Sequence, residues 1–333
     1  MLYQLLKPVA ITGINLFFNS ISVENQERIP NKGPVIFAAN HPNTMMDPLI
    51  VGANCNRRVS ILARSTLFSN KVYAWLLGLI GIIPVYRKID AKSDMVRNED
   101  MFAATYRHLE KGHALLIFPE GKSTPERIIH QVKTGAARIG LGAEASNDFN
   151  LNVQLVPAGI NYSAGTKFRS DVHCRFGRPI AMKDFMDQYE ADDRSAVQAV
   201  TTQLQQALKK LTTTLKDQAD ADIVQSLETI YKKELTVDLG LDKYSKDDEF
   251  KVSKGIIRAV EWFSDNEPKW SHKMKQSIIQ YISILDKLKI RDDFLSTSRS
   301  KITIRRRLQS WFFLVFGFPI FIYGCLLNYL PYK

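Results

Sequence analysis

Between Pro34 and Pro179 short apolar runs alternate with helical patterns. The runs cover 34–40 (P-V-I-F-A-A-N), 58–64 (R-V-S-I-L-A-R), 81–87 (G-I-I-P-V-Y-R), 114–120 (A-L-L-I-F-P-E), 153–162 (V-Q-L-V-P-A-G-I-N-Y) and 172–177 (V-H-C-R-F-G). Each is brief, rich in Val and Ile, and bounded by Gly, Pro or charge, as strands buried on both faces are. Residues 71–80 and 94–110 carry helical periodicity. This alternation predicts an α/β domain over 25–189, with a mostly parallel central sheet flanked by helices. After Pro179 the strands cease. Over 194–215, Val197, Val200, Leu204, Leu208, Leu211 and Leu215 fall on one stripe at three- and four-residue steps, resembling a paired-helix seam. Further helical stretches run to Lys289, separated by polar segments such as D-K-Y-S-K-D-D-E, and predict an α-helical region over 190–298 whose role is not legible.

The two ends carry membrane signals. Residues 1–24 predict an amphipathic, membrane-associating helix: Leu2, Leu5, Leu6, Val9 and Leu16 share a face, Gly13 fills the gap, and Phe17 and Phe18 follow. One early Lys and no small-residue cleavage site make it a poor secretory signal, so it is expected to be retained. Asn15 and Asn19 argue against a full span. Two readings remain: a helix lying in the membrane interface, or one packed on its own domain. Residues 308–330 carry no charge and are dominated by Trp, Phe, Leu and Ile. A bilayer core of about 30 Å needs about 20 helical residues. The segment 299–333 therefore predicts a C-terminal transmembrane helix, as a single anchor or one arm of a hairpin. Arg299, Lys301, Arg305, Arg306 and Arg307 before it supply a cytoplasmic flank, which places the catalytic part on the cytoplasmic side.

Charge and cysteine content narrow this picture. Lys and Arg total 45 against 34 Asp and Glu, a formal charge of +11, which favours an anionic partner. No nucleic-acid-binding motif accompanies it, so membrane lipid or a phosphorylated substrate is the expected partner. Cys55, Cys174 and Cys325 lie far apart with no C-x-x-C pair, and read as reduced packing residues rather than a disulfide framework or a metal site. His108 and His113 lack a ligand pattern and receive no role. Oligomeric state is not readable.

The first run ends in A-A-N-H-P-N-T-M-M-D-P, which places His41 at the carboxyl end of a strand, where open α/β sheets hold their ligand sites. A neutral imidazole is suited to removing a hydroxyl proton near pH 7. A carboxylate on its other ring nitrogen fixes the tautomer and stabilises the imidazolium, and Asp47 is near enough to fold back and do so. No Ser or Cys sits in a G-x-S-x-G pattern, so a direct attack without an acyl-enzyme is expected.

Four segments in order, N-H-P-N-T-M-M-D at 40–47, G-I-I-P-V-Y-R at 81–87, F-P-E-G-K-S at 118–123 and V-P-A at 156–158, resemble those of the glycerolipid acyltransferase superfamily, which includes lysophosphatidic acid and glycerol-3-phosphate acyltransferases. K-T-G-A-A at 133–137 and R-F-G-R-P-I at 175–180 extend the likeness, which covers roughly 25–185. Five residues separate His41 from Asp47, where the usual first block has four. The longer form is similar to a glycerol-3-phosphate or dihydroxyacetone-phosphate acyltransferase branch.

The resemblance implies catalytic His41 and Asp47, and an acceptor site drawn from Arg87, Glu120, Gly121, Ser123 and Lys133, with Arg64 and Lys122 as secondary contacts and Asn40, Pro119 and Pro157 shaping the pocket. The physics agrees for Arg87, a forked permanent cation, and for Gly121, which admits an anion to backbone amides. Glu120 cannot favour a phosphate, and is expected to accept from a glycerol hydroxyl or orient a cation. No bound cofactor or metal is implied; the acyl donor would be acyl-CoA or acyl-ACP. The acceptor expected is lysophosphatidic acid, with glycerol 3-phosphate or dihydroxyacetone phosphate as the alternative. A lipid- or acyl-thioester-binding protein on the same scaffold, or a hydrolase using water, are the readings of other classes.

Overall fold

The computed structural model describes the chain apart from residues 1, 65–67, 71–73, 76, 79–80, 86–93, 166, 243, 291, 293–303 and 330–333. The chain opens with helix α1 (Leu2–Phe17) and strand β1 (Ser20–Glu24). Then come β2 (Val35–Ala39), α2 (Met46–Ala53), β3 (Val59–Arg64), β4 (Ile82–Val85), α3 (Asp94–Glu110), β5 (Ala114–Ile117) and α4 (Gly135–Ala145). The long β6 (Gln154–Tyr162), β7 (Asp171–Phe176) and the short β8 (Ile180–Ala181) complete the sheet. The helices α5 (Met186–Ala191), α6 (Asp193–Leu211), α7 (Ala221–Asp238), α8 (Lys246–Asn266) and α9 (Pro268–Leu288) follow, and after them α10 (Ile304–Tyr329).

The strands form one eight-stranded sheet in the order β1-β7-β6-β2-β5-β3-β4, with β8 beside β6. β6, β2, β5, β3 and β4 are mutually parallel, while β7 runs antiparallel to β6 and β1 lies parallel to β7. Each of the apolar runs read from the sequence is a strand here. The sequence reading missed β1, placed within the N-terminal segment, and β8; Ser20–Glu24 is a strand because β7 offers its free edge.

Side chains alternate across β2 into two cores. Ile36 and Ala38 join Leu115, Ala137, Leu141, Leu204 and Leu208 on the face covered by α4 and α6. Val35, Phe37 and Ala39 join Ile14, Phe18, Ile50 and Val51 on the face covered by α1 and α2. The stripe Val200, Leu204, Leu208 and Leu211 is buried as its spacing predicts, against β6 and α4. Each such Leu is worth about 1.5–3 kcal/mol. Asp192 caps α6 by accepting from the Arg194 amide. Pro157 sits inside central β6 without breaking it. β8 pairs with Gln154 and Leu155 and β7 begins pairing at Ala158, so an imide nitrogen falls where that edge asks for no donor.

The chain divides into two compact units, residues 1–276 and 277–333. The second contains α10, where the sequence predicts a transmembrane helix. That expectation is corrected: a helix forms, but among the described residues no helix is long and apolar enough to cross a membrane. The reason lies in the composition: Arg305, Arg306 and Arg307 fall inside its first turns, and Gly317, Pro319, Tyr323 and Gly324 interrupt the apolar run behind them.

α1 packs on its own domain through Ile14, and Lys7 donates to the Cys55 carbonyl at 2.9 Å. Val9 and Leu16 stay on its outer face, each 67% exposed. Cys55 and Cys174 are free and buried, with burial pushing the Cys55 thiol up to about 12, whereas Cys325 is free and exposed. No metal-ligating group of three or more side chains occurs among the described residues.

Candidate active site

The chain leaves β2 toward α2 on one face and leaves β5 toward α4 on the other. β2 and β5 are neighbours, so their carboxyl ends flank a crevice at a topological switch point. Asn40 and His41 follow β2, and Phe118 to Ser123 follow β5; the sheet alone brings them together.

His41 Nδ1 lies 2.8 Å from Asp47 Oδ2. The five-residue spacing is absorbed by a turn closing on itself: the Asp47 amide donates to the Asn43 carbonyl at 3.0 Å, and the Asn43 amide donates to Asp47 Oδ2 at 2.7 Å. Tyr162, the last residue of β6, donates from its hydroxyl to Asp47 Oδ1 at 2.7 Å. Asp47 is 0% exposed. Burial pushes its carboxyl above the usual carboxylate range, and the donors from His41, Tyr162 and Asn43 pull it part of the way back. With Nδ1–H committed to the carboxylate, Nε2 presents the basic lone pair. The ring is held flat against Phe118, with centroids 3.8 Å apart and planes 13° apart.

Glu120 is buried, and both of its oxygens face inward. Oε1 accepts the His41 amide at 3.2 Å and Oε2 accepts the His130 amide at 2.9 Å. Burial pushes its carboxyl up against these two donors. The Thr124 amide donates to the His41 carbonyl at 3.1 Å, so the loop after β5 clasps the His41 backbone from both sides. Gly121 holds φ +70° here, where a side chain would be strained; a Cβ would also sit 2.8 Å from Lys133 Nζ. Lys133, an exposed residue, is anchored by its amide to the Pro119 carbonyl at 2.9 Å. Ser123 is half-buried on the same loop and Lys122 is exposed.

Asn40 is fixed by a reciprocal pair with Ile160 of β6: its Nδ2 donates to the carbonyl at 2.9 Å and its Oδ1 accepts the amide at 2.7 Å. Pro119 is buried beside Glu120, and the buried Pro157 accepts the Gly177 amide at 2.8 Å. Arg87 lies outside the described residues, as does part of the helical pattern over 71–80; of Arg64 the backbone alone is described, at the end of β3. The residues that sequence reasoning missed are Tyr162, Asn43 and Phe118. The last two stand inside quoted blocks without a role. Tyr162 was findable only by knowing that β6 lies next to β2, since it lies 121 positions from His41.

Residues 20–161 match the family model described as Acyltransferase. Glycerol-3-phosphate O-acyltransferase 1 of Saccharomyces cerevisiae is 22% identical over 391 residues, an alignment covering 91% of this chain and 50% of the yeast protein. The 1-acyl-sn-glycerol-3-phosphate acyltransferase of Streptococcus pneumoniae is 23% identical over 212 residues, covering 62% of this chain and 72% of that protein. The crystal structure of the 1-acyl-sn-glycerophosphate acyltransferase from Thermotoga maritima aligns with a TM-score of 0.45 and 20% identity, over 62% of this chain and 79% of that one. The chain thus spans half the length of the yeast relative. The domain that carries His41, Asp47 and the loop after β5 thus matches the Acyltransferase family model, and over it the chain is similar to enzymes that acylate glycerol phosphates.

Proposed function

We propose that this chain transfers a fatty acyl group from the thioester of coenzyme A or acyl carrier protein to a hydroxyl of a glycerol-phosphate acceptor. The observation carrying this reading is the 2.8 Å contact of His41 Nδ1 with a fully buried Asp47 at the carboxyl end of β2. His41 Nε2 takes the acceptor's hydroxyl proton as its oxygen attacks the thioester carbonyl. The tetrahedral intermediate collapses, the C–S bond breaks, and the imidazolium returns the proton to the departing thiolate. Asp47 holds the tautomer and offsets the transient positive charge. Lys133, whose ammonium group lies over Gly121, is the cation we assign to the acceptor's phosphate. Glu120 acts as a brace between two loops, its inward oxygens being engaged by backbone.

Glycerol 3-phosphate is the acceptor we favour, because the alignment with the yeast glycerol-3-phosphate enzyme covers 91% of this chain. Lysophosphatidic acid is the second reading, supported by the streptococcal relative. A labelled acyl thioester offered with glycerol 3-phosphate, dihydroxyacetone phosphate, lysophosphatidic acid or no acceptor separates them. A labelled acyl-glycerol phosphate is expected in the first arm. Free fatty acid alone would make the chain a hydrolase, and binding without product would make it a carrier.

The lipid-facing side follows from exposed apolar groups beside the site. Val9 and Leu16 lie exposed on α1, Met45 (74% exposed) on the His41 loop itself, and Phe168 (63% exposed) in the segment between β6 and β7. Phe168 packs edge-on to Phe17, and Asn43 ties the loop to the Gly165 carbonyl at 2.8 Å. With the basic charge, this suits a helix resting in an anionic membrane interface. Val9→Asp with Leu16→Asp should weaken binding to anionic vesicles roughly tenfold and leave the fold unchanged. Unaltered sedimentation with vesicles would remove α1 from the lipid contact.

A further inference from the structure

We infer that Tyr162 is a positioning residue for the His41–Asp47 pair: by donating to Asp47 Oδ1 it fixes the carboxylate that orients the imidazole and sets the pH at which the pair takes up a proton. The inference deepens the acyltransferase reading above and rests on it.

The geometry is specific. β6 lies beside β2 and runs on past its end, so a side chain from its last residue reaches the start of α2. The phenol ring packs against Phe18 at 5.7 Å, which aims its hydroxyl, and the oxygen stops 2.7 Å from Asp47 Oδ1. Oδ2 is already occupied by His41 Nδ1 and the Asn43 amide. Tyr162 is thus the donor that steadies the opposite edge of the carboxylate and prevents rotation about its final bond.

The groups facing the pair come from every neighbouring element. The β2–α2 loop supplies the Asn43 amide, β6 supplies Tyr162, β7 supplies the buried Cys174 thiol, and the loop after β5 supplies Glu120 with His130. Burial pushes both the phenol and the thiol well up, so they face Asp47 as neutral groups. The sign of the effect follows. With a neutral imidazole, Asp47 carries its whole charge and the phenol hydrogen bond is at its strongest. With an imidazolium, part of that charge is already answered. Tyr162 therefore favours the basic form of the pair, and its loss should raise the pH of proton uptake.

The test uses the full chain as wild type and as Tyr162→Phe, which keeps the ring against Phe18. Two readouts are taken: kcat/KM against pH for acyl transfer, and the His41 ring signals of histidine-labelled protein against pH. In the variant the acid limb and the His41 titration should both move up by about half to one pH unit, with kcat roughly tenfold lower and KM for the acceptor unchanged. A fluorinated tyrosine at 162, a stronger donor of the same shape, should move both the other way. Identical His41 titrations in all three chains would overturn the Tyr162 assignment whatever the activity. A wild-type chain that transfers no acyl group would instead overturn the functional reading, and the ring titration still decides Tyr162.

Discussion

His41→Ala should cost acyl transfer on the order of 10³-fold or more while leaving the fold intact, since general-base catalysis alone contributes about 10²–10⁴-fold. The ring is partly exposed and stacks on one face of Phe118, so its removal opens a groove at the surface rather than a cavity in the core. Asp47→Asn should fall by a similar factor for a different reason. With its oxygen in the Oδ2 position the amide can satisfy the Asn43 amide and, through its NH2, the Tyr162 oxygen, yet it brings no charge to offset the imidazolium. Burial holds the Asp47 carboxyl above its unfolded range, so at neutral pH its ionised form is a net cost to the fold. That cost lessens as the pH falls through the raised range. The asparagine variant should accordingly melt no lower than wild type at pH 7. The double variant should be no worse than His41→Ala, because the two act as one unit. Turnover of His41→Ala comparable to wild type would remove the base assignment; a lower melting point for Asp47→Asn would make Asp47 chiefly structural.

The largest stability effect should come from Gly159→Ala. In the middle of β6 an added Cβ would meet the Leu211 carbonyl oxygen at 2.5 Å and Leu211 Cβ at 2.6 Å. The obstacle is backbone and cannot rotate aside. Nor can α6 back away, because Asn161, two positions on, donates to the Leu211 carbonyl at 3.1 Å and accepts the Thr213 amide at 2.8 Å. Overpacking of this kind costs about 1–3 kcal/mol, and more where nothing gives way. Denaturant unfolding should register a loss of at least about 2 kcal/mol with an unchanged slope. A change within about 0.5 kcal/mol would mean that the α6–β6 junction is softer than its contacts imply.

The parallel strands were legible because buried strands write continuous Val- and Ile-rich runs, as at 34–40 and 153–162. β1 was not, because Ser20, Ser22 and Glu24 interleave its apolar positions and its partner β7 lies far along the chain. The stripe of α6 was readable as helix, whereas its partner was not: a three-and-four spacing reports an apolar face, and β6 with α4 rather than a twin helix covers it. At the site, the sequence brought forward His41 and Asp47 through their closeness in one block. It could not reveal that Tyr162 completes the arrangement, since that contact exists only once β6 is laid beside β2. For Glu120 the expected partner was a ligand hydroxyl, and the structure instead gives it two amides, a distinction that residue type alone does not carry.

That inward carboxylate makes two loops one mechanical unit. The segment bearing Gly121 and Lys133 is joined through Glu120 to the backbone of His41, since the same carboxylate accepts the His41 and His130 amides. One buried side chain thus links the main chain at the imidazole to the main chain at His130, so a disturbance of either stretch is felt at the other.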